Sequence, residues 1–481
     1  MRYATLLLLC LVFCLSLSGQ DTGPWTLERA VNYALTNNLQ VKRQDNFVEL
    51  ARLQAQQARN NRLPTANGGT NIGAQLGRTI DPTTNAFEQQ TIGFQGYQLQ
   101  ANVVLYNGGQ IKNSLRQAEI DLAAAKMDAK VNSNSIGLQV ANGYLNIILL
   151  QEQLANARAQ LTLTEGQLAN TDALIQAGAL PAAQRFDLQA QAAANQRTIV
   201  DLENQVEMAT LSLKILLELD YDTPFTVATP ALNPTEAQLF QDYDIEEVYL
   251  SARGTQPTVA AAELRRESAA VAIELAKGGM RPTVSLFGSL STNFSSIAKD
   301  FSNPTGEPVT VQGPDIPVII NGQPGTIANF QTTGLVFPNL GYFDQLNQNF
   351  GQSVGMSLNV PIYNQNRNKN NVQRAEVQRL NAELDIEQAN NQLRNDVQLA
   401  LTNLRAARQT YRAAEASQDA AQAAYDNAQR LFRAGAANSL DLVTATNRLE
   451  QAQTEFLRSK YQLIFNRQVI RFYLGQGFTL D

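Results

Sequence analysis

The chain has 481 residues, 17% of them charged, and a formal net charge of -6 at pH 7. It has no histidine, and its two cysteines, Cys10 and Cys14, lie in an N-terminal apolar stretch that export would remove. This composition excludes Ser-His-Asp and Cys-His catalysis, disulfide frameworks and nearly every zinc site, argues against a nucleic-acid partner, and leaves no indication of an enzyme, cofactor or metal site.

The N-terminus predicts a secretory signal peptide over residues 1–19. Arg2 supplies a positive charge, a short apolar stretch follows, and small residues suit cleavage near Ser18. The apolar stretch is shorter than the roughly 20 residues of a membrane-spanning helix. A lipid anchor on a cysteine is the alternative, but the large residues Leu9 and Phe13 precede both cysteines.

The remaining chain contains an internal repeat. Residues 27–65 resemble residues 245–283 at a constant offset of 218 residues, and later segments match at an offset of 257. The change of offset places a 39-residue insertion in the second copy. The later matches pair residues 103–107 with 360–364 and 174–179 with 431–436.

The repeat defines the predicted domains. Repeat 1 covers residues 20–217 and repeat 2 covers residues 245–474. Each is predicted as helix, strand, loop, strand, very long helix, sharp turn and return helix. A connector over 218–244 joins them, and residues 475–481 form a tail.

The insertion falls in a loop over residues 301–348, which is rich in Pro, Gly and Asn. Asn321-Gly322 within it predicts a small hairpin, because Asn-Gly suits a two-residue turn. The loop is expected to face outward, and the sequence assigns it no further role.

Four segments alternate apolar residues with small and polar ones, which is the period of a strand. A half-buried sheet in a soluble domain is the simplest interpretation of alternation alone. However, strands of about 10 residues with one small, polar face and aromatic residues at their ends are typical of an outer-membrane sheet around a watery lumen. The aromatic residues are Phe94, Tyr97, Phe294, Phe350 and Tyr363.

Four strands cannot close a barrel in lipid, since the smallest membrane barrels have about eight. An open edge would leave unpaired backbone groups at several kcal/mol each, so the subunit is expected to oligomerise. Two copies would close a barrel filled by side chains and three an open one, and a conduit favours three.

Two Pro-free stretches, residues 109–177 and 366–434, predict helices of roughly 100 Å at 1.5 Å per residue. Their 4-3-4-3 apolar spacing is that of coiled coils, with Ala-rich seams and polar opposite faces. These features favour the wall of a hollow tube, and a plain antiparallel stalk is the alternative. The seams are Ile111, Leu115, Ala118, Leu122, Ala125 and Ala129, and Leu393, Val397, Ala400, Leu404, Ala407 and Tyr411.

The chain resembles the TolC-like outer-membrane efflux proteins. The resemblance rests on the Leu-Glu-x-Ala-Val-x-x-Ala-Leu-x-Asn-Asn pattern, the Leu-Pro-Thr before the first strand, Leu-Tyr-Asn-Gly-Gly after the second, and the duplicated Ala-Gly-Ala turns. Taken in order, these motifs cover nearly the whole mature chain. They begin at Leu27, Leu63, Leu105, Ala177 and Ala434.

The resemblance implies an α+β membrane protein that forms a homotrimer. A 12-stranded β-barrel in the outer membrane would continue as a periplasmic α-helical barrel of long antiparallel coiled coils. Such proteins dock onto a periplasmic adaptor (membrane fusion) protein and an inner-membrane pump, and passively conduct drugs, small toxic molecules or secreted proteins to the outside. The implied location is the cell outer membrane, extending into the periplasm.

The resemblance also implies that the two turns form the periplasmic tip, where the channel closes and meets the adaptor. Gly178 and Gly435 suit a left-handed helix end, which glycine adopts at little cost. Arg185 and Arg433 lie close by and are candidates for pairing with tip carboxylates or with the adaptor.

In the family, aspartates six and nine residues after the second tip glycine line the closed aperture. Asp441 stands at the first of these positions and Thr444 at the second, whereas repeat 1 has Gln184 and Asp187. Each repeat thus keeps one carboxylate for a gate with cation preference. Alternatively, Asp441 is a first-turn carboxylate stabilised by the helix dipole by about 0.3–1 kcal/mol, and Asp187 lies on a solvated face.

An export conduit without an active site is therefore the leading hypothesis. The alternative is a non-conducting structural or adhesive envelope protein with a coiled-coil stalk, and conductance of the purified protein separates the two. A carboxylate-only envelope enzyme is disfavoured by the missing histidine and thiol chemistry.

Overall fold

The computed structural model describes residues 23–80, 87–89, 91–229, 240–333 and 337–476. The predicted signal peptide lies outside the described residues, as do parts of the predicted connector, loop and tail. The chain divides into two compact units. Unit 1 takes its described residues from Met1–Gln54, Ala118–Ala269 and Val377–Asp481, and unit 2 takes them from Ala55–Gln117 and Ala270–Glu376.

The first half of the chain has four helices and four strands among its described residues. A long helix of 67 residues and a return helix of 33 residues follow the strands. The elements are α1 (Leu27–Asn37), α2 (Leu39–Asn60), β1 (Thr65–Gln75), β2 (Arg78–Ile80), β3 (Phe87–Gln89), β4 (Ile92–Asn107), α3 (Gln110–Gln176) and α4 (Gln184–Leu216).

The second half repeats this order. Its first two helices and first strand begin 218 residues after their counterparts, and its long helix, again of 67 residues, begins 257 residues after α3. The elements are α5 (Ile245–Thr255), α6 (Pro257–Gly278), β5 (Thr283–Ser295), β6 (Val309–Gln312), β7 (Ile316–Ile320), β8 (Gln323–Ile327), β9 (Phe330–Thr333), α7 (Tyr342–Gln348), β10 (Gly351–Asn359), α8 (Arg367–Arg433) and α9 (Ser439–Tyr473).

The opening helical stretch of each half was predicted as one helix, and this was wrong, since each is broken in two. Asn38 leaves the helical region at ψ 132°, and its side chain accepts a hydrogen bond from the backbone N–H of Gln40 (2.8 Å), so it caps α2. Gln256 is extended at ψ 127° because the ring of Pro257 disfavours helix at the preceding residue.

The four long strands form one antiparallel sheet in the order β1-β4-β5-β10. The β4–β5 pairing joins the two halves of the chain, with Leu99 opposite Leu290. β1 and β10 each pair on one side only. β10 ends at Asn359, two residues before Pro361, which has no N–H to donate to a strand ladder.

Two small two-stranded sheets stand in the predicted insertion loop: β7 and β8 form a hairpin, and the flanking strands β6 and β9 pair with each other. The Asn321-Gly322 turn connects β7 and β8, with φ of 51° and 79° respectively, as the dipeptide predicted. The helix α7 was not predicted. Of the aromatic residues predicted at strand ends, Tyr97 instead lies inside β4.

Unit 1 has its largest apolar cluster where α1 packs on α3 and on the ends of α4 and α9; fully buried members are Ala30, Ala34, Val140, Ile147 and Ile148. A second cluster joins α5 to α8 and α9. The predicted seam of α8 is buried from Leu393 to Ala407, whereas in the α3 seam only Leu115 is buried and the other members are half-buried.

Candidate functional site: the helical turns and the two-faced sheet

Each long helix ends in a tight turn at a glycine. Gly178 has φ +75° and Gly435 has φ +73°, the left-handed conformation that the sequence predicted. In the first turn, Gly178 N–H donates to the Ile175 carbonyl (3.0 Å) and Ala179 N–H to the Leu174 carbonyl (2.9 Å). Gly435 and Ala436 make the same pair of bonds. Both turns therefore close as Schellman motifs, which satisfy the last carbonyls of the helix.

The return helix of repeat 2 begins with a capping box. The Asn438 side chain accepts from the Asp441 backbone N–H (2.8 Å), and the Asn438 backbone N–H donates to the Asp441 carboxylate (3.4 Å). This geometry supports the helix-end interpretation of Asp441. The residue is also exposed. Thr444 is exposed and donates its hydroxyl to the Leu440 carbonyl (2.7 Å).

The other predicted carboxylate, Asp187, is exposed in the first turn of α4. It accepts a hydrogen bond of 2.7 Å from the hydroxyl of Ser439, a residue only 1% exposed at the start of α9. Asp187 thus links the return helices of the two repeats. Sequence reasoning missed Ser439, whose role depends on this tertiary contact. Beside them, the side-chain oxygen of Gln184 is buried with no hydrogen-bond partner in the described part of the chain.

The two arginines near the turns differ in their surroundings. Arg185 pairs with Asp172 on α3 at 3.1 Å, rather than with Asp187 or Asp441. Arg433 is exposed at the end of α8. Sequence analysis missed Asp172, although it stands one turn before the end of α3, within reach of the return helix.

The part of α3 that leads to its turn packs through polar residues. Thr164 accepts from the Asn195 side chain (3.0 Å), and Gln167 donates to the Tyr425 hydroxyl (3.0 Å). Burial raises the pKa of Tyr425. We call these residues the polar seam. Its α3 members, spaced 4-3-4 as in a coiled coil, are Gln160, Thr164, Gln167 and Thr171, all at most 9% exposed.

A cavity of about 110 Å³ lies beside the polar seam, between α3, α4 and α9. Gln160, Thr198 and Glu450 are among its lining residues. Burial raises the pKa of the Glu450 carboxyl, and the amide nitrogen of Gln160 has no hydrogen-bond partner in the described part of the chain. The return helices therefore meet here through polar, imperfectly paired groups.

In unit 2, the register of the sheet separates two faces. The apolar face carries exposed Ile72, Tyr97, Leu99, Leu286, Leu290, Val354, Met356 and Leu358. The polar face carries Asn67, Asn71, Gln98, Gln100, Asn102, Ser285, Ser289, Ser353 and Ser357. The predicted alternation is therefore present in the sheet, with Phe287, which lies opposite Asn102 on the polar face, as an exception.

The model of the family described as "Outer membrane efflux protein" matches residues 30–217 and 248–476. The chain belongs to the outer membrane efflux protein family. The two matched segments begin 218 residues apart, the offset found between the halves of the chain.

Individual members of the family are distant in sequence. The outer membrane efflux protein BepC of Brucella suis is 22% identical over 448 residues, covering 93% of this chain and 85% of BepC. The crystal structure of CusC matches with a TM-score of 0.72 at 18% identity, over 94% of this chain and 92% of CusC. VceC of Vibrio cholerae matches with 0.70 at 16%, over 94% and 97% of the two chains.

Membership places this efflux protein in the outer membrane and among channel proteins rather than enzymes. None of the helices in the described ranges has both the length and the apolar character needed to cross a membrane. Within those ranges, no three acidic side chains come together in a way that would hold a metal ion.

Proposed function

We propose that this outer-membrane efflux protein is the exit channel of a multi-part export system. Three copies form a passive conduit that receives drugs, small toxic molecules or secreted proteins from an inner-membrane pump through a periplasmic adaptor. The observation that carries the proposal is the sheet of unit 2, which exposes an apolar face and presents a polar opposite face; in the described part of the chain its two edge strands, β1 and β10, each pair on one side only.

Those features require a partner in lipid. Each backbone group left unpaired at β1 and β10 would cost several kcal/mol in the bilayer core. Pairing β1 of one copy with β10 of the next removes every edge, and three copies supply 12 strands, enough for an open lumen. The apolar face then contacts lipid, and the Gln, Asn and Ser side chains of the polar face line a lumen that selects little.

The long helices supply the periplasmic part of the proposal. α3 and α8, of 67 residues each, are roughly 100 Å long at 1.5 Å per residue. With the return helices, three copies give 12 helices for an α-barrel. The turns at Gly178 and Gly435 form its closed end, where Asp441 and Asp187 set a cation preference and Arg433 is a candidate contact for the adaptor.

Disulfide trapping tests the barrel, because the chain's own cysteines lie only at positions 10 and 14. Ile72→Cys is combined in turn with Val354→Cys and Met356→Cys, all on the apolar face of the edge strands. Oxidation in membranes is expected to give dimers and trimers. The control, Leu99→Cys with Val354→Cys, joins strands that are not neighbours and is expected to stay monomeric. Monomers in every combination would refute the closure.

Conductance in a planar bilayer tests the conduit and its gate. We expect steady, cation-preferring channels, whereas no current under any opening condition would favour the stalk protein. Asp441→Asn removes the charge and retains a capping acceptor, while Asp441→Ala removes both. We expect both to lower cation preference and only the alanine variant to raise the basal current. Asp385→Asn, which removes a carboxylate from α8, is the control. If the Asp441 variants show the same selectivity as this control, Asp441 is not part of the gate, and the channel proposal is unaffected.

A further inference from the structure

The loop that follows β5 returns to the sheet through the short helix α7. The Gln345 side chain, 1% exposed, accepts from the Ser295 backbone N–H (2.8 Å) and donates to the Leu340 carbonyl (2.9 Å). The Thr292 hydroxyl donates to the Leu346 carbonyl (2.7 Å). Buried hydrogen bonds therefore fix α7 to β5.

α7 lies on the apolar face of the sheet. Its first residue, Tyr342, stacks against Phe294 with ring centroids 4.9 Å apart, and its hydroxyl reaches Gln95 (3.0 Å) and Tyr97 (2.9 Å). By the register of β4 and β5, Gln95, Tyr97, Thr292 and Phe294 all point to the side that carries Leu99 and Leu290. A helix with polar residues thus covers one end of a face whose other exposed side chains are mostly apolar.

The position of α7 along the strands matches the edge of a lipid layer. β5 runs uncovered from Thr283 to Ser291 and meets α7 at Thr292. Eight steps of about 3.3 Å, tilted by about 40°, rise roughly 20 Å, which is close to the apolar band of about 25 Å on outer-membrane barrels. α7 therefore begins where that band ends.

The exposed side of α7 carries both aromatic and polar side chains, as is typical of the headgroup region of a membrane. Phe343 is 81% exposed, and Asp344, Asn347 and Gln348 are exposed beside it. Phe350, 53% exposed, lies two residues after the end of α7 and directly before β10. Aromatic rings next to polar groups suit the boundary between acyl chains and headgroups.

We propose that α7 is a membrane-surface anchor, with Phe343 and Phe350 inserted at the level where the lipid acyl chains meet the headgroups. The proposal rests on the channel function, in which the apolar face contacts lipid. The anchor would fix the height of the sheet in the bilayer and the path of the loop 301–348 at the membrane surface.

Depth-dependent fluorescence quenching tests the anchor. The chain has one tryptophan, Trp25, so the emission of the unmodified protein is subtracted. Phe343→Trp, and Phe350→Trp as a second reporter, are reconstituted in vesicles whose acyl chains are brominated either near the headgroup or near the bilayer centre. The depth controls are Val354→Trp, on the open apolar face, and Ile319→Trp, exposed on β7.

We expect headgroup-side bromine to quench the Phe343→Trp and Phe350→Trp reporters about twofold more than central bromine, and Val354→Trp to show the reverse. Ile319→Trp should not respond. Quenching of Val354→Trp without quenching of either α7 reporter would overturn the anchor and leave the channel intact. Stronger quenching of the reporters by central bromine would also overturn the assigned depth. If Val354→Trp is quenched by neither lipid, the channel proposal and the anchor both fail.

Discussion

The two helical turns have the same backbone conformation but differ in the hydrogen bonds and packing that stabilise them. Both end in a Schellman motif at a glycine of nearly equal φ, 75° and 73°. After Gly435, a capping box starts α9 at Ser439. After Gly178, the corresponding positions are Pro181 and Ala182, and α4 starts at Gln184 without a side-chain cap. Its first turn closes instead through shorter-range bonds, such as Gln184 N–H to the Pro181 carbonyl (3.2 Å).

The side-chain packing next to the turns also differs between the two repeats. The repeat 2 turn contributes Tyr425, Phe432, Leu442 and Leu449 to a buried apolar cluster, and the repeat 1 turn packs the partly buried Leu180 against it. At the position of Leu442, repeat 1 has Arg185, which pairs with Asp172 while its own Nε is buried without a partner in the described part of the chain. The two repeats therefore have the same turn backbone, but different contacts stabilise it. We expect the repeat 1 turn to open locally more readily, because α4 lacks a side-chain cap and Arg185 stands where repeat 2 has the buried Leu442.

The largest expected effect comes from removing the apolar support of the repeat 2 turn. Leu442 is 1% exposed, so Leu442→Ala should destabilise this region by about 2–5 kcal/mol. Hydrogen exchange of residues 434–446 is expected to accelerate until it matches the repeat 1 turn. Leu440→Ala, at a position 60% exposed, is the control and should change little. Equal exchange in both variants would show that the cluster does not hold the turn.

In the polar seam, the same change from threonine to valine is expected to destabilise the protein at one position and to stabilise it at another. Thr164 donates to the Gln160 carbonyl (2.9 Å) and accepts from Asn195, so Thr164→Val leaves a buried amide unpaired at about 1–3 kcal/mol. Thr171 is fully buried, and its hydroxyl has no partner in the described ranges, so Thr171→Val should stabilise this part of α3. Hydrogen exchange of residues 160–176 measures both. Destabilisation by both variants would mean that the Thr171 hydroxyl is satisfied in the membrane-embedded protein.

The order of the elements, the long helices and the turns could be predicted from the sequence. The offset of 218 residues, the absence of proline from each long helix and the glycine at each turn are local signals. The structure starts and ends both long helices within one residue of the predicted bounds. The Asn321-Gly322 hairpin was likewise readable from a dipeptide. Each of these features depends on backbone preferences of nearby residues, which a sequence displays directly.

The remainder depends on tertiary contacts. Gln160 and Gln167 resemble solvated helix positions in the sequence, and only their neighbours show that they are buried. α7 has seven residues and no side-chain cap, and it is held in place by the burial of Gln345. The link between Asp187 and Ser439 joins residues 252 positions apart. For this reason the gate assignment of the turn carboxylates stays a prediction.

Removing the helix cap of repeat 2, or installing one in repeat 1, is expected to change the stability of the helix start by about 1 kcal/mol. The two changes would reduce the difference between the turns from opposite sides. Asn438→Ala removes the acceptor for the Asp441 N–H and should speed exchange at the start of α9, whereas Asn438→Asp retains an acceptor and serves as control. Conversely, Pro181→Asn combined with Gln184→Asp installs the capping box in repeat 1. We expect α4 to begin earlier and to exchange more slowly, and unchanged exchange there would show that packing alone sets the difference.

The smallest expected effect is pH-dependent and concerns Glu450, where α9 meets the polar cavity beside α3 and α4. Burial raises the pKa of its carboxyl above the ordinary value of 4.5, so the folded protein holds this proton more tightly than the unfolded chain does. Stability from this group is therefore greatest at acidic pH and falls as the pH rises through the folded pKa. Glu450→Gln should raise the thermal midpoint at pH 7 by less than the caps do, and leave it unchanged at pH 4. The exposed Glu455→Gln controls for net charge. A gain at pH 4 equal to that at pH 7 would mean that packing, rather than the buried charge, limits the stability of this junction between the repeats.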